Sequence, residues 1–188
     1  MFARCLQILS LALLCTCAIA ASAPLQPGSV YDLTFRDVDG QDVATAAGII
    51  TILTVTTRAT EEKARAVSKL VPEQYIGDPK YRYITLVDFE GKLASPLWGL
   101  TRAIIRNRLD AEAKLLKPRY DAKKLTRDPR KDVYVVADFD GNAVSRLGLT
   151  PGLPDVVVFI FDSRGKLLAR WESMPPEEAF VQALNSAR

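Results

Sequence analysis

Residues 56–60 read Thr-Thr-Arg-Ala-Thr, between a β-branched apolar run and a helix-forming stretch. Such strand-to-helix turns often carry the chemistry of α/β proteins, because backbone N–H groups and the helix dipole converge there. Thr57, Arg58 and Thr60 are therefore binding candidates. Arg58 and the N–H groups of the helix start could hold a carboxylate, phosphate or sulfate. The alternative is local: Thr60 caps the helix, Arg58 is solvated, and Glu61 and Glu62 occupy the positive helix end.

The residues that are missing narrow the chemistry. The chain of 188 residues has no histidine, and its three cysteines, Cys5, Cys15 and Cys17, all precede residue 18. Without imidazole, Ser-His-Asp, Cys-His and His-based zinc sites are excluded. Beyond residue 17 no thiolate nucleophile, disulfide or Cys-x-x-Cys pair can form. No catalytic residue and no cofactor is assigned. Four words of one form, at residues 37–40, 88–91, 138–141 and 162–165, begin with Asp and end with Gly. They read as turns, since Asp favours turns and Gly supplies positive φ. Asp138, Asp140 and Asn142 resemble the start of a calcium loop, but Ala143 stands where Gly is wanted and Leu149 where Glu is wanted. No metal site is assigned.

Charge is uneven. Between residues 102 and 131 there are 11 Lys/Arg against four acids, a local +7. Arg102, Arg106, Lys114, Lys117, Lys123 and Lys124 form a candidate basic patch. An anionic partner could meet it: a membrane surface, an acidic glycan or an acidic envelope protein. The bland alternative is a solvated helix face. Nucleic acid is not expected, because the stretch lacks interleaved aromatics.

The elements that must position these residues follow from periodicity. Residues 31–43 read as a strand, an Asp-Gly turn and a short return strand. Residues 48–56 have a nearly continuous apolar centre, which suits a strand covered on both faces. A helix follows, with Thr60 as N-cap, Ala59, Ala66, Val67 and Leu70 on its buried side, and Pro72 closing it. Residues 81–91 are the next strand and turn. A longer helix is expected over residues 96–117, ended by Pro118, burying Leu97, Leu100, Ile104, Ala111 and Leu115. A strand in "DVYVVADFDG", a hairpin turning at residues 162–165, and a final helix with Phe180, Ala183, Leu184 and Ala187 on one side complete the chain. Trp98 and Trp171 read as partial core residues.

The first 20 residues have the plan of a secretory signal peptide: Arg4, an apolar stretch from Leu6 to about Ala20, and small residues after it. Cleavage is expected near residues 20–23, leaving residues 24–188 as one domain of a periplasmic or secreted protein. Lipidation at Cys17 is a minor alternative.

The order of elements, with "YDLTFRDVDGQDV" at the start and "GLPDVVVFIFDSRGKLLARW" near the end, resembles the thioredoxin-like superfamily in its peroxiredoxin and TlpA-like forms. "VYVVADFDGNAVSRLGL" is similar to the peroxiredoxin strand and turn that precede the final hairpin. The small YtfJ-type periplasmic family is the nearest likeness. The resemblance implies an α/β fold with a central mixed sheet, flanking helices and an N-terminal β-hairpin. It also implies that Pro154 takes the place of the family's cis-proline, beside which an extended peptide can pair. The chain departs at one place: residues 57–60 stand where thioredoxins carry Cys-x-x-Cys. A threonine without a histidine beside it cannot exchange disulfides or reduce peroxide. The expectation is a binding or accessory module of the bacterial envelope, with Thr57, Arg58, Thr60 and Pro154 in one shallow groove. The alternative is an enzyme using carboxylates or hydroxyls.

Overall fold

The computed structural model describes residues 23–90 and 93–187. The expected leader, its cleavage site and all three cysteines lie outside these residues, as does Gly91. A two-stranded hairpin pairs β1 (Thr34–Arg36) with β2 (Asp42–Ala44). The main sheet has β3 (Ile50–Thr57), β4 (Tyr81–Asp88), β5 (Val133–Asp138), β6 (Val157–Phe161) and β7 (Leu167–Trp171), in the order β5-β4-β3-β6-β7. β3, β4 and β5 run parallel, while β6 and β7 are antiparallel additions. The helices are α1 (Glu61–Lys69), α2 (Trp98–Ala122), α3 (Asn142–Arg146) and α4 (Glu177–Ser186).

β3 is central and buried at all its positions, as its apolar run predicts. The two-residue period of a strand divides its side chains between two cores. Leu53 and Val55 join Ile84, Leu86, Val136 and Phe159 beneath the hairpin and α3. Ile50 and Ile52 join Val67, Ile160, Phe180 and Leu184 beneath α1 and α4. Leu109 of α2 packs with Val38 and Val135 at the β5 end. α4 buries Phe180 and Leu184 as its spacing predicts.

Two of the Asp-Gly turns are built alike. Asp37 accepts the N–H groups of Asp39 (2.9 Å) and Gln41 (2.8 Å), and Asp162 accepts those of Arg164 (2.8 Å) and Lys166 (2.9 Å). Gly40 and Gly165 close these turns at φ of 82° and 81°. Burial pushes the Asp162 carboxyl up, but the two N–H groups outweigh it and hold it below the usual range.

The stretch around the first hairpin also closes the sheet. Val30 bridges to Lys166 beside β7, and the Tyr31 N–H donates to the Gly165 carbonyl at 2.8 Å. At the opposite edge, the Val38 N–H donates to the Val135 carbonyl of β5 at 2.9 Å.

Three expectations need correcting. Ala59 is exposed; α1 buries Val67 as expected, together with Ala64, while Ala66 and Leu70 are half-buried. α2 does not stop at Pro118. It continues to Ala122, because Tyr120 in the following turn is fully buried and hydrogen-bonds Asp132, outweighing the lost backbone bond. α2 also presents a different face to the core. Leu109, Ala113 and Tyr120 are buried, whereas Leu97, Leu100, Ile104 and Leu115 are 47%, 61%, 48% and 76% exposed. Ala111 is exposed with them.

Candidate functional site

The register of the parallel strands assembles a row that no single stretch of sequence contains. Thr57 pairs with Asp88, and Asp88 pairs with Asp138, at the C-terminal ends of β3, β4 and β5. This is the edge at which open α/β sheets receive ligands. All three residues are buried.

At the β3 end the chain makes one turn of 3-10 helix over Arg58–Thr60 before α1 begins. Thr60 does not cap α1 with its side chain. Its hydroxyl points back instead, accepting the Thr57 N–H at 3.0 Å and lying 2.9 Å from the Thr56 hydroxyl and 3.3 Å from that of Thr57. The three hydroxyls are thus bound to one another within five residues. The Thr56 hydroxyl also donates to the Thr57 carbonyl at 3.1 Å. The first-turn acids of α1 are engaged too: Glu61 and Glu62 pair with Arg65 at 2.7 and 2.9 Å.

Arg58 is exposed and makes no ion pair among the described residues. Pro154 is exposed at the same end of the sheet. The antiparallel ladder ends at Val55–Val157, so one chain leaves it toward Thr57 and Arg58 while the other arrives from Pro154 and Asp155. An ion pair of 2.7 Å between Lys63 of α1 and Asp155 ties the segments together. The Lys63 ammonium holds the Asp155 carboxyl below the usual range, and the Val156 N–H adds to this. The described residues contain no cis peptide bond, so Leu153–Pro154 is trans, unlike the cis-proline of the family it resembles.

The acidic end of the row is organised differently. Asp88 accepts the Glu90 N–H at 2.6 Å through one oxygen and the Gly152 N–H at 2.7 Å through the other. It thereby fastens the loop before β6 to the end of β4. Asp138 accepts the Val144 N–H of α3 at 2.8 Å. Asp140 takes the N–H and side-chain amide of Asn142 at 3.1 and 2.7 Å. Burial pushes the Asp138 carboxyl up; the Val144 N–H opposes this and the nearby Asp140 reinforces it. Burial acts on Asp140 too, but the Asn142 N–H and a hydrogen bond from Asp138 hold its carboxyl below the usual range. The two carboxyls are thus pushed apart, Asp138 toward its protonated form and Asp140 toward its ionised form.

Sequence reading took Asp88 and Asp138 for turn residues and missed that they align with Thr57. The local signal was present, since each is the last residue of a strand-like run before an aromatic, an acid and Gly. Their alignment depends on strand register.

The residues of the basic stretch have separate partners. Arg102 lies over the Phe139 ring at 5.2 Å. Arg106 donates to the Val38 carbonyl at 2.8 Å and pairs with Asp39 at 3.3 Å. Lys117 pairs with Asp121. Lys123 donates to the Ile76 carbonyl at 2.9 Å and pairs with Glu73 at 3.6 Å. Lys114 and Lys124 are exposed, and Lys124 takes a positive φ of 57° past the end of α2. Two open depressions, about 840 Å³ along α4 and about 290 Å³ beside Lys123, lie away from the row.

No protein-family model matches the chain, and no curated protein matches it. Solved structures do. A peroxiredoxin-like protein from Aquifex aeolicus superposes with a TM-score of 0.52 at 13% identity, over 89% of this chain and 91% of that one. A DsbF homologue from Corynebacterium diphtheriae gives 0.52 at 10% identity, over 86% and 87%. The fold is thioredoxin-like. The exposed lipoprotein thioredoxin of Streptococcus pneumoniae agrees, with 0.50 at 14% identity over 83% and 99%. In this thioredoxin-like frame the hydroxyl turn lies where β3 hands the chain to α1, beside the segment that enters β6.

Proposed function

We propose that the chain is a non-catalytic binding or accessory module of the bacterial cell envelope. The observation that carries this reading is the state of residues 57–60. Where the resemblance places a redox pair, Thr57 and Thr60 are buried and their hydroxyls are hydrogen-bonded within the turn. A hydroxyl held in this way, with no imidazole in the chain to take its proton, is not a nucleophile. What the turn offers to solvent is Arg58, Ala59 and the neighbouring Pro154. These suit a shallow contact with an extended or anionic segment of a partner. The leader-like N-terminus supports an envelope location. So does the likeness to an exposed lipoprotein thioredoxin.

The test uses the thiol chemistry itself. The protein should show background rates in disulfide-reductase and peroxidase assays; turnover above background would end this reading. Thr57→Cys/Thr60→Cys should gain measurable disulfide exchange, because the two hydroxyl oxygens are already only 3.3 Å apart. Capture of a partner from envelope extract should weaken with Arg58→Glu.

A second reading rests on Asp138 and Asp140, whose carboxyls are pushed in opposite directions, as in an acid–base pair. It requires a substrate to displace the N–H groups that those carboxylates now accept. Loss of an identified hydrolytic activity in Asp140→Asn would favour it.

A further inference from the structure

The outer face of α2 is the feature that neither the fold nor the hydroxyl turn uses. Leu97, Leu100, Ile104, Arg108, Ala111 and Leu115 follow one another at intervals of three and four, so they form one stripe along the helix. The stripe runs about 27 Å at the usual helical rise. Its four large apolar side chains are about half to three-quarters exposed. The opposite side of the helix, through Leu109, Ala113 and Tyr120, already meets the sheet and its surroundings. The stripe is therefore not needed to hold α2 in place.

Its charges are mainly basic. Arg108 lies within the stripe, with a side chain 68% exposed and only a 3.7 Å pair to Glu61. Lys114, next to Leu115, is exposed and makes no ion pair among the described residues. Glu112, next to Ala111, is exposed on the other flank. α2 carries six Lys/Arg against three acids over Trp98–Ala122.

We propose that this face docks on an anionic lipid surface: Leu97, Leu100, Ile104 and Leu115 enter the acyl boundary, and Arg108 and Lys114 meet headgroup phosphates. A single helix with an apolar ridge, an arginine within it and a net positive charge fits a planar interface that can part around it. A protein partner would have to supply a matching groove. The long arginine and lysine stems let the charges reach the headgroups while the ridge is immersed. This surface is independent of the hydroxyl turn.

Co-sedimentation with vesicles tests it, using the exported protein as recovered from the expressing bacterium. Binding to phosphatidylglycerol-containing vesicles should exceed binding to pure phosphatidylcholine vesicles by about tenfold and fall as salt is raised. Leu100→Glu/Ile104→Glu should reduce it by about tenfold, and Arg108→Ala/Lys114→Ala by about threefold. Both variants alter exposed side chains, so circular dichroism should match the parent. Equal binding by parent and Leu100→Glu/Ile104→Glu, or no binding at low salt, overturns the proposal. So does a dimer by ultracentrifugation that Leu100→Glu/Ile104→Glu dissolves, since the stripe would then be a self-interface.

Discussion

The hydroxyl turn and the acidic strand ends share one edge of one sheet, yet they satisfy their polar groups by opposite means. Thr56, Thr57 and Thr60 close on one another within five residues. Asp88 reaches a backbone group 64 residues away. The first solution is local and neutral, and leaves Arg58 and Pro154 exposed around it. The second is charged and fastens separate segments. One end of the edge is therefore available for contact, while the other maintains the loops that shape it.

Removing Asp88 should have the largest effect. Asp88→Ala leaves the Glu90 and Gly152 N–H groups without their acceptor, and should cost about 3 kcal/mol by urea unfolding. Hydrogen exchange at Gly152 should rise with it. A loss below about 1 kcal/mol would mean that water replaces the carboxylate, and would break the contrast. Thr60→Val should cost less, about 1–2 kcal/mol, because the neutral Thr57 N–H and hydroxyl lose their partner while the Thr56 hydroxyl keeps the Thr57 carbonyl. Thr60→Ser keeps the hydroxyl and should restore most of that loss.

Asp138→Asn sharpens the contrast through pH. Folding raises the Asp138 pKa, so the fold favours its protonated form. The stability contributed by that proton is full below the unfolded pKa and lost as pH rises through the folded one. Asparagine stays neutral throughout. The variant should therefore be more stable than the parent near neutrality by about 1 kcal/mol, with the gain vanishing in acid. Thermal unfolding over a pH series reads this directly. A gain that persists unchanged in acid would mean that the Asp138 carboxyl is not pushed up by its burial.

Much of the architecture was legible because its determinants are local. The Ile- and Val-rich run of β3, the Asp-Gly turns at Asp37 and Asp162, and the spacing of Phe180 and Leu184 each specify their element within a few residues. α2 shows the limit. Leu97, Leu100, Ile104 and Leu115 keep helical spacing, but so do Ile105, Leu109, Ala113 and Tyr120. Periodicity identifies a helix without saying which of two apolar stripes faces the sheet. Here the sheet takes the one with the buried Tyr120. The Thr57–Asp88–Asp138 row was hidden for a related reason, since strands joined by long crossovers align through packing. Thr60 was correctly placed at the start of a helix, but the intervening 3-10 turn redirected its hydroxyl.

The residues that touch both margins of the sheet have a consequence for solubility. Val30 and Tyr31 meet the turn that leads into β7, and Val38 meets β5 at Val135, only eight residues from the first of these contacts to the last. Unpaired strand edges are where chains template one another into aggregates. Here both guards belong to one short segment. Proteolytic nicking or peeling of that segment would uncover two templating edges in a single event, so precipitation should follow its release before the central strands unfold.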